Sequence, residues 1–270
     1  MTIHHPIDPA LIDMIKSRKL MRGLFNGLGS PVLVEMTAYA GYDFTIIDNE
    51  HGSASIETTE HMLRAARASG IPALVRCLEH DIARTLDAGA GGLQIPMVQN
   101  AAHALAVVNK VRYPRAADFV GLRGERGSAY SVRAAGYGAF GGAAHNALSN
   151  AQVALVVMIE STEAVNAAAQ IAAVDGIDAV FIGPNDLAHN MGYESNFYAP
   201  QVQAAIEKAL RAIASTGKCA GVLALTPEDE ARYASWGASY FAGVITSVLS
   251  KALKDSASAG RSGEKAQLSY

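Results

Sequence analysis

The feature that most constrains this chain is a regular alternation of two periods. Short apolar, β-type runs occur at residues 22–28, 43–48, 72–77, 93–98, 153–160, 179–182, 219–225 and 240–244. Between them, Ala-rich segments such as 57–69, 101–111, 162–174, 201–215 and 227–235 carry apolar residues at helical spacing. Ser30-Pro31 and Thr226-Pro227 read as helix starts, a capping residue followed by proline at the first helical position. Eight strands alternating with helices predict a parallel α/β architecture, and a (β/α)8 TIM barrel in particular. An open doubly wound sheet is the competing arrangement. It fits less well because Gly27-Leu28-Gly29 lacks the third glycine of a dinucleotide fingerprint.

Three of these runs end in acid or base residues. Ile46-Ile47 leads into Asp48-Asn49-Glu50-His51-Gly52, residues 156–159 lead into Glu160, and Val180-Phe181-Ile182 leads into Gly183-Pro184-Asn185-Asp186. Charged side chains at such positions cost stability unless they are paired or used. The C-terminal ends of barrel strands are where α/β barrels build active sites.

Glu160 and Asp186 follow consecutive strands, so a barrel would bring their carboxylates together at one rim. Two carboxylates without added His or Cys suit a hard divalent ion, which accepts its other ligands from water and substrate. Structural alternatives are that Asp186 caps a turn and Glu160 pairs with Arg123. Arg76 closes the run Ala73-Leu74-Val75, where a guanidinium could hold an enolate or carboxylate, or simply balance Glu50 or Asp87. His51 stands three residues after Asp48, and a carboxylate there could fix the imidazole tautomer and raise its basicity. A core or helix-capping histidine is the structural alternative, and the nearby carboxylate favours the catalytic one. The other histidines lack zinc-type spacing, and Lys110, Lys208 and Lys218 fall away from strand ends, which disfavours a Schiff base.

The 270 residues suffice for one barrel, and a 50% hydrophobic composition supplies its core. A formal charge of −3 gives no electrostatic reason to expect a nucleic-acid or membrane-surface partner. Cys77 and Cys219 sit in apolar runs and read as buried thiols. No secretory signal is evident at the N-terminus and no apolar run approaches spanning length, so a soluble cytoplasmic enzyme is expected. Residues 1–253 are assigned to a single domain, and the Ser/Gly/Lys-rich 254–270 to a mobile tail. The Gly- and Arg-rich stretch 113–150 is expected to be a functional lid or loop.

The motifs together resemble those of the HpcH/HpaI aldolases, metal-dependent class II enzymes that make and cleave 2-keto acids through a pyruvate enolate. The likeness rests on residues 44–52, Leu74-Val75-Arg76, residues 86–90, Ile95-Pro96-Met97-Val98, Arg112-Tyr113-Pro114, Leu122-Arg123-Gly124, Ile159-Glu160-Ser161 and residues 181–187, in that order. It implies a phosphoenolpyruvate/pyruvate-type barrel whose C-terminal helix is exchanged between subunits of a homo-oligomer, a hexamer or trimer. It implies Glu160 and Asp186 as ligands of Mg2+, Mn2+ or Co2+, with no organic cofactor. Arg76 would contact the keto oxygen, and His51 paired with Asp48 would handle the proton on the aldol hydroxyl. Either that dyad or a metal-bound hydroxide would take the C3 proton. Gly183, Pro184, Asn185 and Asp186 would surround the substrate carboxylate, with Pro184 only shaping the turn, and Glu50, Asp87 and Arg123 would support the site.

The expected reaction is reversible cleavage of a 4-hydroxy-2-keto acid to pyruvate and an aldehyde. The sequence departs from the family at Met158, where glutamine is usual, at Arg115, and in Gly243-Val244-Ile245, which lacks the usual aspartate; these departures point to an unusual aldehyde. Two alternatives are a citrate-lyase-like enzyme acting on an acyl-CoA thioester, for which Arg115, Arg123, Arg126 and Arg133 could form a basic surface, and a non-catalytic acid sensor.

Overall fold

A computed structural model describes residues 5–115, 121 and 123–262. Eight parallel strands close into a barrel in sequence order: β1 (Met21–Asn26), β2 (Phe44–Asp48), β3 (Ala73–Arg76), β4 (Gly92–Ile95), β5 (Ala154–Ile159), β6 (Ala179–Ile182), β7 (Cys219–Leu223) and β8 (Tyr240–Val244). β8 returns to pair with β1, from Met21 opposite Tyr240 to Phe25 opposite Val244.

Side chains on each strand alternate between two apolar layers, as period-two geometry requires. Ile47, Val75, Leu93, Val157 and Val180 face the surrounding helices. Phe25, Phe44, Ile46, Leu74, Val156, Phe181 and Tyr240 fill the barrel interior. Large and small residues interdigitate there. Phe44 and Tyr240 meet edge to face at 4.9 Å, as do Phe181 and Tyr240 at 5.2 Å and Phe25 and Phe181 at 5.8 Å. Gly221 makes room for this stack, since a Cβ there would lie 2.7 Å from Phe181 and 3.0 Å from Tyr240. The Tyr240 hydroxyl donates to Gln94 Oε1 at 2.6 Å, which satisfies the one polar tip in the stack.

A helix absent from the sequence reading, Ala10–Ser17, adds Leu11, Ile12 and Ile15 to the interior layer. It packs at the N-terminal end of the strands, where Leu11 occupies the space left by Gly92. The barrel is therefore plugged at one end, and its polar cavity opens at the other.

The described part of the 113–150 segment is not a lid. It forms a 3-10 turn (Arg133–Gly138) and a helix (Gly142–Gln152), and none of its described residues lines the cavity at the strand C-termini. Two arginines, Arg126 buried and Arg133 half-buried, hold it to the flank of the barrel. Arg126 lies 4.3 Å over the Tyr113 ring and donates to Asp87 at 3.0 Å and Ser149 Oγ at 3.1 Å, while Arg133 donates to the carbonyl of Ala88 at 2.8 Å. Leu122 of the Leu122-Arg123-Gly124 motif lies outside the described residues. The last helix, Ile245–Ser262, continues beyond Leu253, where the sequence reading starts a tail; residues 263–270 lie outside the described residues. Val248 and Leu253 on this helix are exposed, and a groove of about 430 Å³ runs beside it past Leu24, Tyr42, Leu225 and Phe241.

Because Gly221 is packed against two rings, Gly221→Ala should lower unfolding stability by about 1–3 kcal/mol through overpacking. Urea unfolding followed by fluorescence measures this.

Candidate active site

The cavity at the C-terminal ends of the strands has a volume of about 400 Å³ and brings together Asp48, His51, Arg76, Glu160, Gly183, Pro184, Asn185 and Asp186. Parallel register places the first pair. Asp48 and Arg76 are the last residues of β2 and β3 and stand opposite each other. Their side chains form a two-pronged ion pair, Arg76 Nε to Asp48 Oδ1 at 2.8 Å and Nη2 to Oδ2 at 2.5 Å. Arg76 Nη1 lies 3.3 Å from Glu50 Oε2, and the guanidinium sits 4.5 Å from the Phe25 ring centroid. Burial alone would raise the Asp48 pKa, but the guanidinium and the backbone N–H groups of His51 and Glu50 hold it below the ordinary value.

The Asp48–His51 dyad expected from the spacing is not formed. Asp48 Oδ1 accepts the backbone N–H of Glu50 at 3.2 Å and of His51 at 3.4 Å, and the fork of Arg76 takes both oxygens. A guanidinium offers two parallel donors to a buried carboxylate, where an imidazole offers one. The His51 ring turns outward to the rim with its side chain 65% exposed, and Glu50 Oε2 lies 3.9 Å away. Glu50 thus takes the place beside the imidazole that spacing assigned to Asp48. Asp87 is committed to Arg126, on the barrel flank, and neither it nor Arg123 lines the cavity.

Glu160 leaves β5 almost fully buried, with Oε2 accepting the Met97 N–H at 2.7 Å. Its other oxygen faces Gly183, where a Cβ would lie 2.6 Å from Oε1. Burial, aided by the nearby carboxylates of Asp186 and Glu50 and opposed by the Met97 N–H and Arg76, lifts its pKa to about 7. Asp186 is exposed in the first turn of the helix Pro184–Asn190.

These residues fit a hard divalent cation. Glu160 and Asp186 supply oxygen donors only, and Glu50 Oε2 is buried without a hydrogen-bond partner. The Glu160 pKa is raised chiefly by burial, and the carboxylates of Asp186 and Glu50 add to it. Among the described residues no set of three or more His, Cys, Asp or Glu side chains converges on a point, so such an ion would need water or substrate to complete its shell. No lysine among the described residues lines the cavity.

A family model described as HpcH/HpaI aldolase/citrate lyase matches residues 21–250. The chain belongs to this family. It is 40% identical over 217 residues to a 4-hydroxy-2-oxo-heptane-1,7-dioate aldolase of Salmonella paratyphi A, covering 79% of this chain and 80% of that protein. It is 36% identical over 235 residues to a hydroxypyruvate/pyruvate aldolase of Cupriavidus necator, covering 84% and 81%. A solved HpcH/HpaI aldolase/citrate lyase family protein from Burkholderia cenocepacia superposes with a TM-score of 0.85 at 31% identity, covering 94% of this chain and all of that one. The motif containing Met97 carries no sign of its backbone donation to Glu160. The lining residues Phe25, Leu223 and Thr246 were missed as well; the inward alternation of β1 and β7 was the available signal for the first two.

A carboxyl whose folded pKa is raised stabilises the fold while protonated, and that contribution is lost as pH rises through the folded value. In EDTA, stability attributable to Glu160 should therefore fall between about pH 4.5 and pH 7. Thermal melts across that window should show a slope that Glu160→Gln removes.

Proposed function

We propose that this chain is a divalent-metal-dependent aldolase that reversibly cleaves a 4-hydroxy-2-keto acid to pyruvate, or a close 2-keto acid, and an aldehyde. The observation that carries the reading is a single cavity in which Glu160 and Asp186 share space with the anchored guanidinium of Arg76 and the exposed imidazole of His51. Mg2+, Mn2+ or Co2+ held by Glu160 and Asp186 would supply Lewis-acid polarisation of the keto group.

The residues of the chain then divide the remaining work. His51, at the rim, takes the proton from the C4 hydroxyl as the C3–C4 bond breaks and the aldehyde carbonyl forms. The bonding electrons pass to the C2–C3 unit as an enolate, and protonation at C3 gives pyruvate. Arg76 stabilises the developing oxyanion through its remaining N–H, which its pairing with Asp48 and Glu50 keeps oriented. The Gly183 N–H is spent on the Ile159 carbonyl at 3.2 Å and Pro184 has none, so the N–H groups of Asn185 and Asp186, in the first turn of the helix Pro184–Asn190, would receive the substrate carboxylate. Glu50 rather than Asp48 is the carboxylate beside the His51 ring, with Oε2 3.9 Å from Nε2.

The rest of the lining is apolar, from Phe25, Met158, Phe181, Leu223 and Val244. This supports a preference for aldehydes without a distal charge. The arginines considered for a CoA ester are in part committed elsewhere, Arg126 to Asp87 and Arg133 to backbone carbonyls. Pyruvate release from a panel of 4-hydroxy-2-keto acids, with each metal and with EDTA, tests the reading. Glu160→Ala and Asp186→Ala should each lower kcat/KM at least about a hundredfold, in keeping with the several kcal/mol of charge stabilisation such an ion supplies. Cleavage indifferent to EDTA, or turnover of a CoA ester alone, would reject it.

We also propose a homo-oligomer, a hexamer or trimer, acting in the cytoplasm and exchanging the helix Ile245–Ser262. Its exposed Val248 and Leu253 and the adjacent groove support this; among the described residues no helix is long and apolar enough to cross a membrane. Light scattering on a chain ending at Val244 should show a smaller assembly than the full chain.

A further inference from the structure

We infer that Met97 is a positioning residue whose left-handed backbone conformation sets the orientation of the Glu160 carboxylate and leaves Oε1 as the oxygen free to meet a cation. This deepens the metal-dependent reading above and rests on it.

Four described residues with side chains have positive φ: Arg18, Met97, Tyr137 and Glu194. Met97, at φ +60°, is the one among them whose N–H reaches a carboxylate, Glu160 Oε2 at 2.7 Å. A residue with a Cβ enters this region at a cost in stability and stays there only where its surroundings hold it. The Met97 side chain does not supply that hold, since it is half exposed. The backbone does. Val98 N–H donates to the Met158 carbonyl at 3.0 Å, and the Met97 carbonyl accepts Gln99 Nε2 at 3.1 Å. Gln99 Oε1 in turn accepts the Ser161 hydroxyl at 2.6 Å, and Ser161 Oγ caps the next helix by accepting the Ala164 N–H at 3.2 Å. The turn after β4 is thereby tied to residues 158, 160 and 161, on both sides of the carboxylate it orients.

Gly183 closes the other side. Its bare Cα leaves room for Oε1, and any Cβ would crowd it. One oxygen of Glu160 is thus committed to a peptide N–H, while the other lies against the bare Cα of Gly183 at the wall of the cavity. A carboxylate so held presents a single oxygen in a fixed direction. Hydrogen-bonding groups behind a metal ligand commonly change metal affinity by about 10–100-fold when removed.

The test is direct Mn2+ binding to the EDTA-stripped full-length protein, read by the electron paramagnetic resonance of free Mn2+, with circular dichroism to confirm folding. Met97→Gly keeps the N–H and removes the steric cost of positive φ, so its affinity should stay within about twofold of the parent. Met97→Val keeps a side chain but strongly disfavours that conformation, and should bind about tenfold or more weakly. Gln99→Ala, which cuts the brace without touching Met97 or Glu160, should weaken binding in the same direction and serves if Met97→Val does not fold. A role for the Met97 side chain predicts the reverse order, with Gly worse than Val. That order, or parental affinity in both Met97→Val and Gln99→Ala, overturns the inference while Glu160→Ala still abolishes binding. Parental affinity in Glu160→Ala instead overturns the metal reading itself.

Discussion

The ion pair between Asp48 and Arg76 is the contact on which the rim depends. Parallel register makes the two last residues of β2 and β3 neighbours, and burial makes their pairing obligatory. Removing either partner would strand a charge in a low-dielectric setting, a loss of about 3–5 kcal/mol. The pair also fixes direction. With Nε and Nη2 committed to Asp48, Nη1 is turned to Glu50, and the guanidinium carbon lies over the Phe25 ring. A long, flexible side chain becomes a rigid donor, which is what stabilising a developing oxyanion requires.

Around that donor the charges do not balance. Asp48, Glu50, Glu160 and Asp186 face one guanidinium, and the excess is visible in the response of the acids. Burial and Asp48 and Asp186 push the Glu50 pKa up despite Arg76 and His51, and burial with Asp186 and Glu50 does the same at Glu160. Asp48 goes the other way because the fork of Arg76 and the backbone N–H groups of His51 and Glu50 outweigh its burial. A fold that keeps such an excess at the end of a barrel needs a reason outside apo stability. The cation of the proposed reaction would supply one, and its binding would compete with the proton on Glu160.

Much of this was legible in the sequence because barrel geometry converts strand ends into neighbours. Each apolar run identified by composition contains or overlaps an observed strand, and residues 48, 51, 76, 160 and 183–186 line one cavity as that rule requires. What was not legible depended on directions rather than positions. The three-residue spacing of Asp48 and His51 suggested a dyad, but linear spacing does not reveal that a guanidinium on the neighbouring strand has the better geometry for the same oxygens. The long polar segment after Tyr113 looked like a lid because its few apolar residues gave no sign of burial. Its anchors are instead Arg126, buried against a tyrosine ring and Asp87, and the half-buried Arg133, bonded to backbone carbonyls. The N-terminal plug was missed because eight residues are too few for a convincing helical period. The backbone at Met97 had no side-chain signature at all.

The site's stiffness has its origin one layer further down. Phe25 touches both the guanidinium above it and Phe181 beside it, Phe181 meets Tyr240, and Tyr240 is fastened to Gln94 across the barrel. Glycine at 221 lets those rings approach closely enough to leave little freedom. The aromatic stack is also apolar, so it lowers the local dielectric and strengthens every charge interaction resting on it. His51 is the exception, exposed at the rim and free of this stack. That division suits a centre in which the oxyanion-stabilising groups must hold still while the group that exchanges protons with solvent must reach it.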